Sequence, residues 1–425
     1  MFSRVVLWTS LLSIWCQILC IRLSQRCRQT LAEAMADEYP TVIRYLQYAI
    51  AEFSVIITDL PEVIGFGFAI KIFLGWPTWI GVLCSLATTM LFLSSQYFGF
   101  RALEGIIMCF VGIMSIVIFV QWSMTTTDWA MFWKGALIPG VSGIKPDALT
   151  ILGLIGCVVM PHNLYLHSAA AMTRGDIPRT KKHVERAIQL SSLDLILPIF
   201  VTIAINWGIV VLSAENIYQN PSAANSGIAD FCRYFSNMGD AGCILWGVAL
   251  LAAAQSSSIT TTYTGQYVME GFLKLRLSLW KRAILTRLLA ILPAVAIAAS
   301  YSDNTLQHMI DWVNASLAVL LPFALIPLIK FNTSERKMGS AVPSLVEKVA
   351  LWILGVAVIC VNVLTVKLQS KEDSKPFNFL WDLKHNTVQN LLLLAYVLFL
   401  VYVFLKPVRG KKGNYREIRS FEPAF

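Results

Sequence analysis

Charge is what this 425-residue sequence has least of: Asp, Glu, Lys and Arg together make up 14% of it, while 56% is hydrophobic. That balance excludes an ordinary soluble domain, which carries about a quarter charged residues. The nine cysteines contain no CxxC pair and no zinc-like spacing, so a zinc module is excluded and most of them read as small buried residues. No nucleotide-binding loop, zinc-hydrolase motif or nucleophile–base set occurs, which argues against an enzyme and against any resident cofactor. The formal net charge is +9, but no basic patch interleaved with aromatics accompanies it, so nucleic acid is not an expected partner. No low-complexity segment or soluble domain interrupts the chain.

What is present in quantity is apolar sequence in runs long enough to cross a bilayer. Eleven spans are predicted: about 4–22, 42–73, 77–96, 102–121, 148–172, 190–214, 241–272, 283–301, 307–330, 347–368 and 386–406. An all-α polytopic membrane protein follows, because only helices or closed barrels satisfy every backbone group in lipid. The second and seventh spans are long enough to tilt, kink or project from the bilayer. A secretory signal fits the first twenty-odd residues less well than a span does. The apolar stretch there runs long and no small-residue cleavage site precedes Arg22.

Basic residues favour alternate loops. Arg22, Arg26 and Arg28 lie on one side, with Arg174 to Arg186, Lys274 to Arg282, Lys330 to Lys337, and Lys406 onward. The positive-inside rule places that side, with the C-terminus, in the cytoplasm. The N-terminus is then outside. The tail from 407 is compatible with anionic cytoplasmic lipid. The same pattern suits a plasma membrane or an endosomal or vacuolar one. Cys232 and Cys243 flank one exterior loop and form a candidate disulfide.

Polar groups at bilayer depth are the candidate functional residues. In the second span Glu52, Asp59 and Glu62 are spaced by seven and three, which puts all three on one helical stripe. Each charge costs about 2.5–3.5 kcal/mol at the bilayer centre, so three on one stripe are expected to face protein or water. Such a stripe marks a proton or cation path, or a set of acids paired with arginine. Arg287, entering an apolar span, is either their counter-charge or an interfacial side chain reaching for water. In the fifth span, Met160-Pro161-His162-Asn163 interrupts an otherwise apolar helix, and His167 follows. Pro161 removes a donor and blocks the turn before it, which frees carbonyls such as that of Cys157. Soft sulfur beside carbonyl oxygen suits a transition metal better than Ca2+ or Mg2+. His162 and His167 lie about 140° apart around a helix, so proton handling suits them better than joint ligation.

These segments carry a family resemblance. "MPHNLYLHS" (160–168), "TDLPEVIG" (58–65), "AAAQSSSITTTYTGQYVMEGFL" (252–273), "LTRLLAILPA" and "LPFALIPL" resemble, in order, the signature segments of the NRAMP family, proton-coupled transporters of Mn2+, Fe2+ and related metals. The resemblance implies a LeuT-type inverted-repeat fold with a metal site at discontinuous helices near the midplane. It implies a single transporter domain over 1–425: a truncated first repeat to about 121, a second repeat over about 148–330, accessory helices over about 347–406 and a cytoplasmic tail over 407–425. Met160 falls on the metal-ligating methionine, Cys157 on a carbonyl ligand and Asn314 on the tenth-helix pattern. Glu52, Asp59, Glu62, His162, His167 and Arg287 fall on positions of proton movement or gating. The implied partners are Mn2+, Fe2+ or a related dication, protons and the bilayer.

Three departures stand out. The family's first-helix Asp-Pro-Gly-Asn motif does not occur in these residues. Leu317 and Leu320 replace glutamines, and Ala254 and Thr261 replace glycines. An N-terminally incomplete sequence is expected to account for the first, with a non-transporting paralogue that works through a full-length relative as the competing account.

Overall fold

The computed structural model describes residues 2–93, 100–138, 148–173, 181–216, 228, 231, 239–275, 278–300, 303–369 and 387–408. Every regular element among them is helical. In chain order these are α1 (Phe2–Cys27), α2 (Leu31–Glu38), α3 (Thr41–Leu74), α4 (Thr78–Leu93), α5 (Phe100–Ser123), α6 (Trp129–Leu137), α7 (Ala148–Val158), α8 (Pro161–Thr173), α9 (Lys181–Asn216), α10 (Gly239–Leu273), α11 (Leu279–Ser300), α12 (Asp303–Thr333), α13 (Glu335–Met338), α14 (Leu345–Gln369) and α15 (Thr387–Leu405). Each predicted span finds a helix, and the fifth finds two, α7 and α8. Nine of the spans are long and apolar enough to cross a membrane, and Thr78–Leu91 and Asn390–Leu405 are shorter apolar helices. The chain is a multi-pass integral membrane protein.

The two long spans are α3, of 34 residues, and α10, of 35. At 1.5 Å per residue each exceeds 50 Å, well beyond a hydrocarbon core of about 30 Å. They pack against one another along their length. α3 stops at Gly75, whose φ of 69° supplies the left-handed C-cap, and Pro77 follows. Proline lies inside α3 (Pro61), α9 (Pro198), α11 (Pro293) and α12 (Pro322, Pro327). Each proline deprives the carbonyl four residues earlier of its donor. At Pro322 a neighbouring helix supplies the remedy. The buried Asn362 amide of α14 donates to the Ala318 carbonyl at 2.8 Å and to the Tyr396 hydroxyl of α15 at 3.3 Å.

α1 and α8 run parallel. Cys20 Sγ donates to the Leu164 carbonyl (3.4 Å) and Ser24 Oγ to that of Ser168 (2.6 Å), a constant offset of 144 residues. Between α1, α2, α8, α10, α12, α14 and α15 lies the largest apolar core, including Leu19, Met35, Tyr165, Phe272, Leu325 and Phe331.

The short helices α2 and α6 are additions to the sequence reading. α2 begins with a capping box: Thr30 accepts from the Glu33 N–H and the Glu33 carboxylate accepts from the Thr30 N–H. Ion pairs then gather at one end of the bundle: Arg22–Glu347, Arg26–Glu185 (3.0 Å), Lys337–Glu38 (2.9 Å) and Lys274–Asp37 (3.5 Å). These are residues of the charge-rich loops, brought together at a common end. At the other end Arg4 reaches the Gly135 carbonyl of α6 (3.2 Å). Cys243 is disulfide-bonded; Cys232 lies outside the described residues, as do the interior of the 217–238 loop and the tail from 409.

Candidate cation and proton site

α7 ends at Val158 and α8 begins at Pro161, so Val159 and Met160 form the predicted break. The Val159 N–H still closes on the Ile155 carbonyl (2.9 Å), and the Asn163 N–H turns back to the Met160 carbonyl (3.2 Å). Pro161 has no N–H to offer the Cys157 carbonyl. The Cys157 thiol is turned onto its own helix, 3.3 Å from the Leu154 carbonyl. Met160 is half-buried. α12 presses against this segment. An added Cβ at Gly153 would lie 3.7 Å from the Cβ of Asn314, and one at Gly156 would overlap the Asn314 carbonyl itself. Glycine here permits two backbones to touch, and the contact brings Asn314 beside the turn that precedes Cys157.

The acidic stripe resolves into two clusters. Asp59 and Glu62 are buried, at 6% and 9% exposure. Arg287 Nη1 lies 2.7 Å from Asp59 Oδ1, and Nη2 donates to the Ser258 carbonyl. Arg287 is 1% exposed, so it is the counter-charge of Asp59 and not an interfacial side chain. α10 contributes hydroxyls one turn apart. Ser257 donates to Glu62 Oε1, while Thr261 Oγ1 stands 3.0 Å from Glu62 Oε2 and 3.2 Å from Asp59 Oδ1. The same hydroxyl stands 3.1 Å from the Ser257 carbonyl and 3.0 Å from that of Ser258, so its one proton has four acceptors, two of them the acids, and can pass between them without backbone movement. A void the size of a single water molecule opens beside Asp59, lined by Val55, Ile56, Thr261, Thr262 and Thr286.

Glu52 belongs to the second cluster. Both of its carboxylate oxygens lie 2.6 Å from Arg282 Nη2. The sequence reading counted Arg282 among loop charges; the structure corrects this, since Arg282 is on α11, 3% exposed and paired. Its guanidinium passes over Gly265, where a Cβ would meet Nη2 at 2.8 Å.

His162 is buried, with Nδ1 3.2 Å from Thr58 Oγ1. Thr58 donates its own proton to the Ser54 carbonyl (2.7 Å). The Nδ1 position must therefore carry a hydrogen, which leaves Nε2 of the neutral ring as an acceptor. His167 is half-buried further along α8. Leu317 and Leu320 pack with Val313 against Ile57 and Leu60 of α3, an apolar layer between Asn314 and the Asp59 cluster. Ala254 lies 3.9 Å from where a Cβ would sit on Gly65. Ser257 and Thr261 were not singled out from sequence as acid partners. Their signal was a pair of hydroxyls four apart in an unusually hydroxyl-rich membrane helix.

Among the described residues no group of three His, Cys, Asp or Glu side chains could hold a metal ion. Met160 stands at the break itself, and Asn314 packs against the helix turn that leads into it.

A family model described as natural resistance-associated macrophage protein-like (Nramp) matches residues 3–367. "Metal transporter Nramp2" of Populus trichocarpa is 34% identical over 367 residues, covering 84% of this chain and 68% of its own length. "Metal transporter Nramp4" of Arabidopsis thaliana is 32% identical over 367 residues, covering 84% and 71%. A solved structure of a manganese transporter of Eremococcus coleocola superposes with a TM-score of 0.84 over 96% of this chain and 88% of that one, at 24% identity.

Proposed function

The chain belongs to the natural resistance-associated macrophage protein family and has its LeuT-type inverted-repeat fold, and on that premise we propose that it carries divalent transition-metal ions, Mn2+ and Fe2+ foremost, across a membrane toward the cytoplasm, driven by protons. Its role is transport and not catalysis. The observation that carries the reading is the Val159–Met160 break in an apolar span, with Asn314 packed against the α7 turn that leads into it.

A dication would be held by Met160 sulfur, the Cys157 carbonyl and the Asn314 amide. The thioether discriminates against Ca2+ and Mg2+, which bind oxygen alone. Protons would use the other face of α3. With both acids ionised, Asp59, Glu62 and Arg287 sum to one negative charge; one proton makes the cluster neutral. Proton uptake and release then switch the cluster between a neutral state, which a dry site favours, and a state with one net negative charge. Thr261 reorients between them, and the Glu52–Arg282 pair continues the line toward the end of the bundle where the basic loops gather. His162 joins the break to α3 through Thr58. Alternating access moves one helix bundle against the other around this point. The C-terminus is placed in the cytoplasm by the positive-inside pattern.

Metal uptake into proteoliposomes tests the reading. Mn2+ uptake rises as the external pH falls, and Met160→Ala narrows the preference for Mn2+ over Ca2+ several-fold. Uptake that is flat from mildly acid to neutral pH removes the proton coupling; unchanged discrimination removes the sulfur. The apolar layer at Leu317 and Leu320 favours a second reading, a non-transporting member acting through association with a transporting relative. Co-purification with such a relative, and no uptake by this chain alone, would select it.

A further inference from the structure

α3 carries a second polar stripe that the acid clusters do not use. At about 100° per residue, Gln47, Ser54 and Thr58 fall within about 40° of one another; Glu52 and Asp59 lie about 120–140° round from Gln47, and Glu62 about 60°. Gln47 is 1% exposed, and neither its amide nitrogen nor its amide oxygen has a hydrogen-bond partner. Tyr45 and Leu46 beside it are exposed at 52% and 45%, so Gln47 points inward from the lipid-facing side. One turn on, Ala51 is part of the apolar core that closes over the break with Val159, Leu164, Tyr165 and Phe272. Ser54 and Thr58 fold their hydroxyls back onto the carbonyls of Ala51 and Ser54, each at 2.7 Å. That is how hydroxyls are satisfied in a dry environment. Thr58 also touches His162, two residues past Met160.

A buried amide with both ends orphaned costs stability and calls for a reason. Leucine would fill the position without that cost. Resting on the transport reading above, we propose that the Gln47–Ser54–Thr58 face of α3 lines the route by which the cation leaves the break toward the end of the bundle that carries the Glu38–Lys337 pair, with the Gln47 amide oxygen as a station for the partly hydrated ion. The apolar core around Ala51 is the closed form of that route. When it parts, water reaches the stripe, the two hydroxyls turn outward, and Gln47 gains the partners it lacks. Glu52 and Asp59, further round the helix, stay paired with Arg282 and Arg287 throughout.

The test uses the full chain, purified and reconstituted, with Mn2+ itself as the probe. Gln47→Leu removes the orphaned amide, so its thermal midpoint rises by roughly 1–3 °C, while Mn2+ flux falls at least about fivefold and equilibrium Mn2+ binding is unchanged. Gln47→Asn, which keeps an amide, retains most of the flux. Opposite movements of stability and flux are the signature of a residue kept for the moving state. If Gln47→Leu carries Mn2+ as fast as the unaltered chain, or if its flux and thermal midpoint fall together, the assignment is wrong. Absence of Mn2+ flux in the unaltered chain overturns the transport reading, and this inference falls with it; the first two outcomes overturn the inference alone.

Discussion

Arg287→Gln is the perturbation whose size the geometry sets best. Arg287 and Asp59 are 2.7 Å apart with side-chain exposures of 1% and 8%. At an effective dielectric constant of about 20, that separation corresponds to an attraction of about 6 kcal/mol, most of it offset by the cost of drying two ions. Removing one partner leaves the other charge buried alone, which costs about 3–5 kcal/mol. The Ser258 carbonyl loses its arginine donor too, but Thr262 still donates to it at 2.9 Å. The loss is therefore mostly electrostatic. Asp59→Asn should cost a comparable amount, because it strands the guanidinium. The double variant Asp59→Asn, Arg287→Gln strands neither member of the pair, and Glu62 keeps its Ser257 and Thr261 donors; it should recover about 3 kcal/mol relative to the sum of the single variants. The assay is survival of the monodisperse peak on size exclusion after heating in detergent, converted through a common unfolding enthalpy. Strict additivity of the two single effects would falsify the claim that this pair holds α3 to α11.

Three further outcomes follow from named contacts. Gly156→Ala drives a Cβ into the Asn314 carbonyl and should cost about 1–3 kcal/mol or abolish expression, visible by the same heating assay. Asn362→Leu leaves the Ala318 carbonyl without a donor at the Pro322 bend and should cost about 1–3 kcal/mol, with Tyr396→Phe much milder because the Ala318 bond survives it. Outside the membrane, burial raises the proton affinity of Glu33. The folded carboxyl holds its proton to a higher pH than the unfolded one, so Glu33 costs stability above its folded pKa, and that cost vanishes as pH falls through it. Glu33→Gln, which keeps the capping box, should flatten the pH dependence of the thermal midpoint on the acid side of neutrality; an unchanged profile would show that another group dominates there.

Spans were legible because twenty apolar residues in a row have few alternatives. The break at Met160 was legible because proline has a local, context-free effect on the backbone. Arg282 was not, since its charge counted equally well as a loop cation; only the depth of α3 beside it reveals a partner in Glu52. Helical spacing placed Glu52, Asp59 and Glu62 on one stripe, but not the division of that stripe between two arginines, which depends on where α11 crosses. α2 escaped because eight residues are too few to show a period, and its capping box, Thr30 with Glu33, was the one local clue. Asn362 and Gln47 read as incidental polar residues in apolar helices. What separates them is tertiary: one meets an orphaned carbonyl and the other meets nothing.

The proline-interrupted α12 is braced from behind. Its freed carbonyl is tied to α14, which packs against α7 and is tied in turn to α15 through Tyr396, so the helix that sets Asn314 against the glycines of α7 is held by two others. Replacements at Asn362 or Tyr396, which touch no proposed ligand, should therefore alter which ion fits as well as how stable the chain is, and relatives that differ in those two helices can differ in cargo while sharing every residue of the cradle.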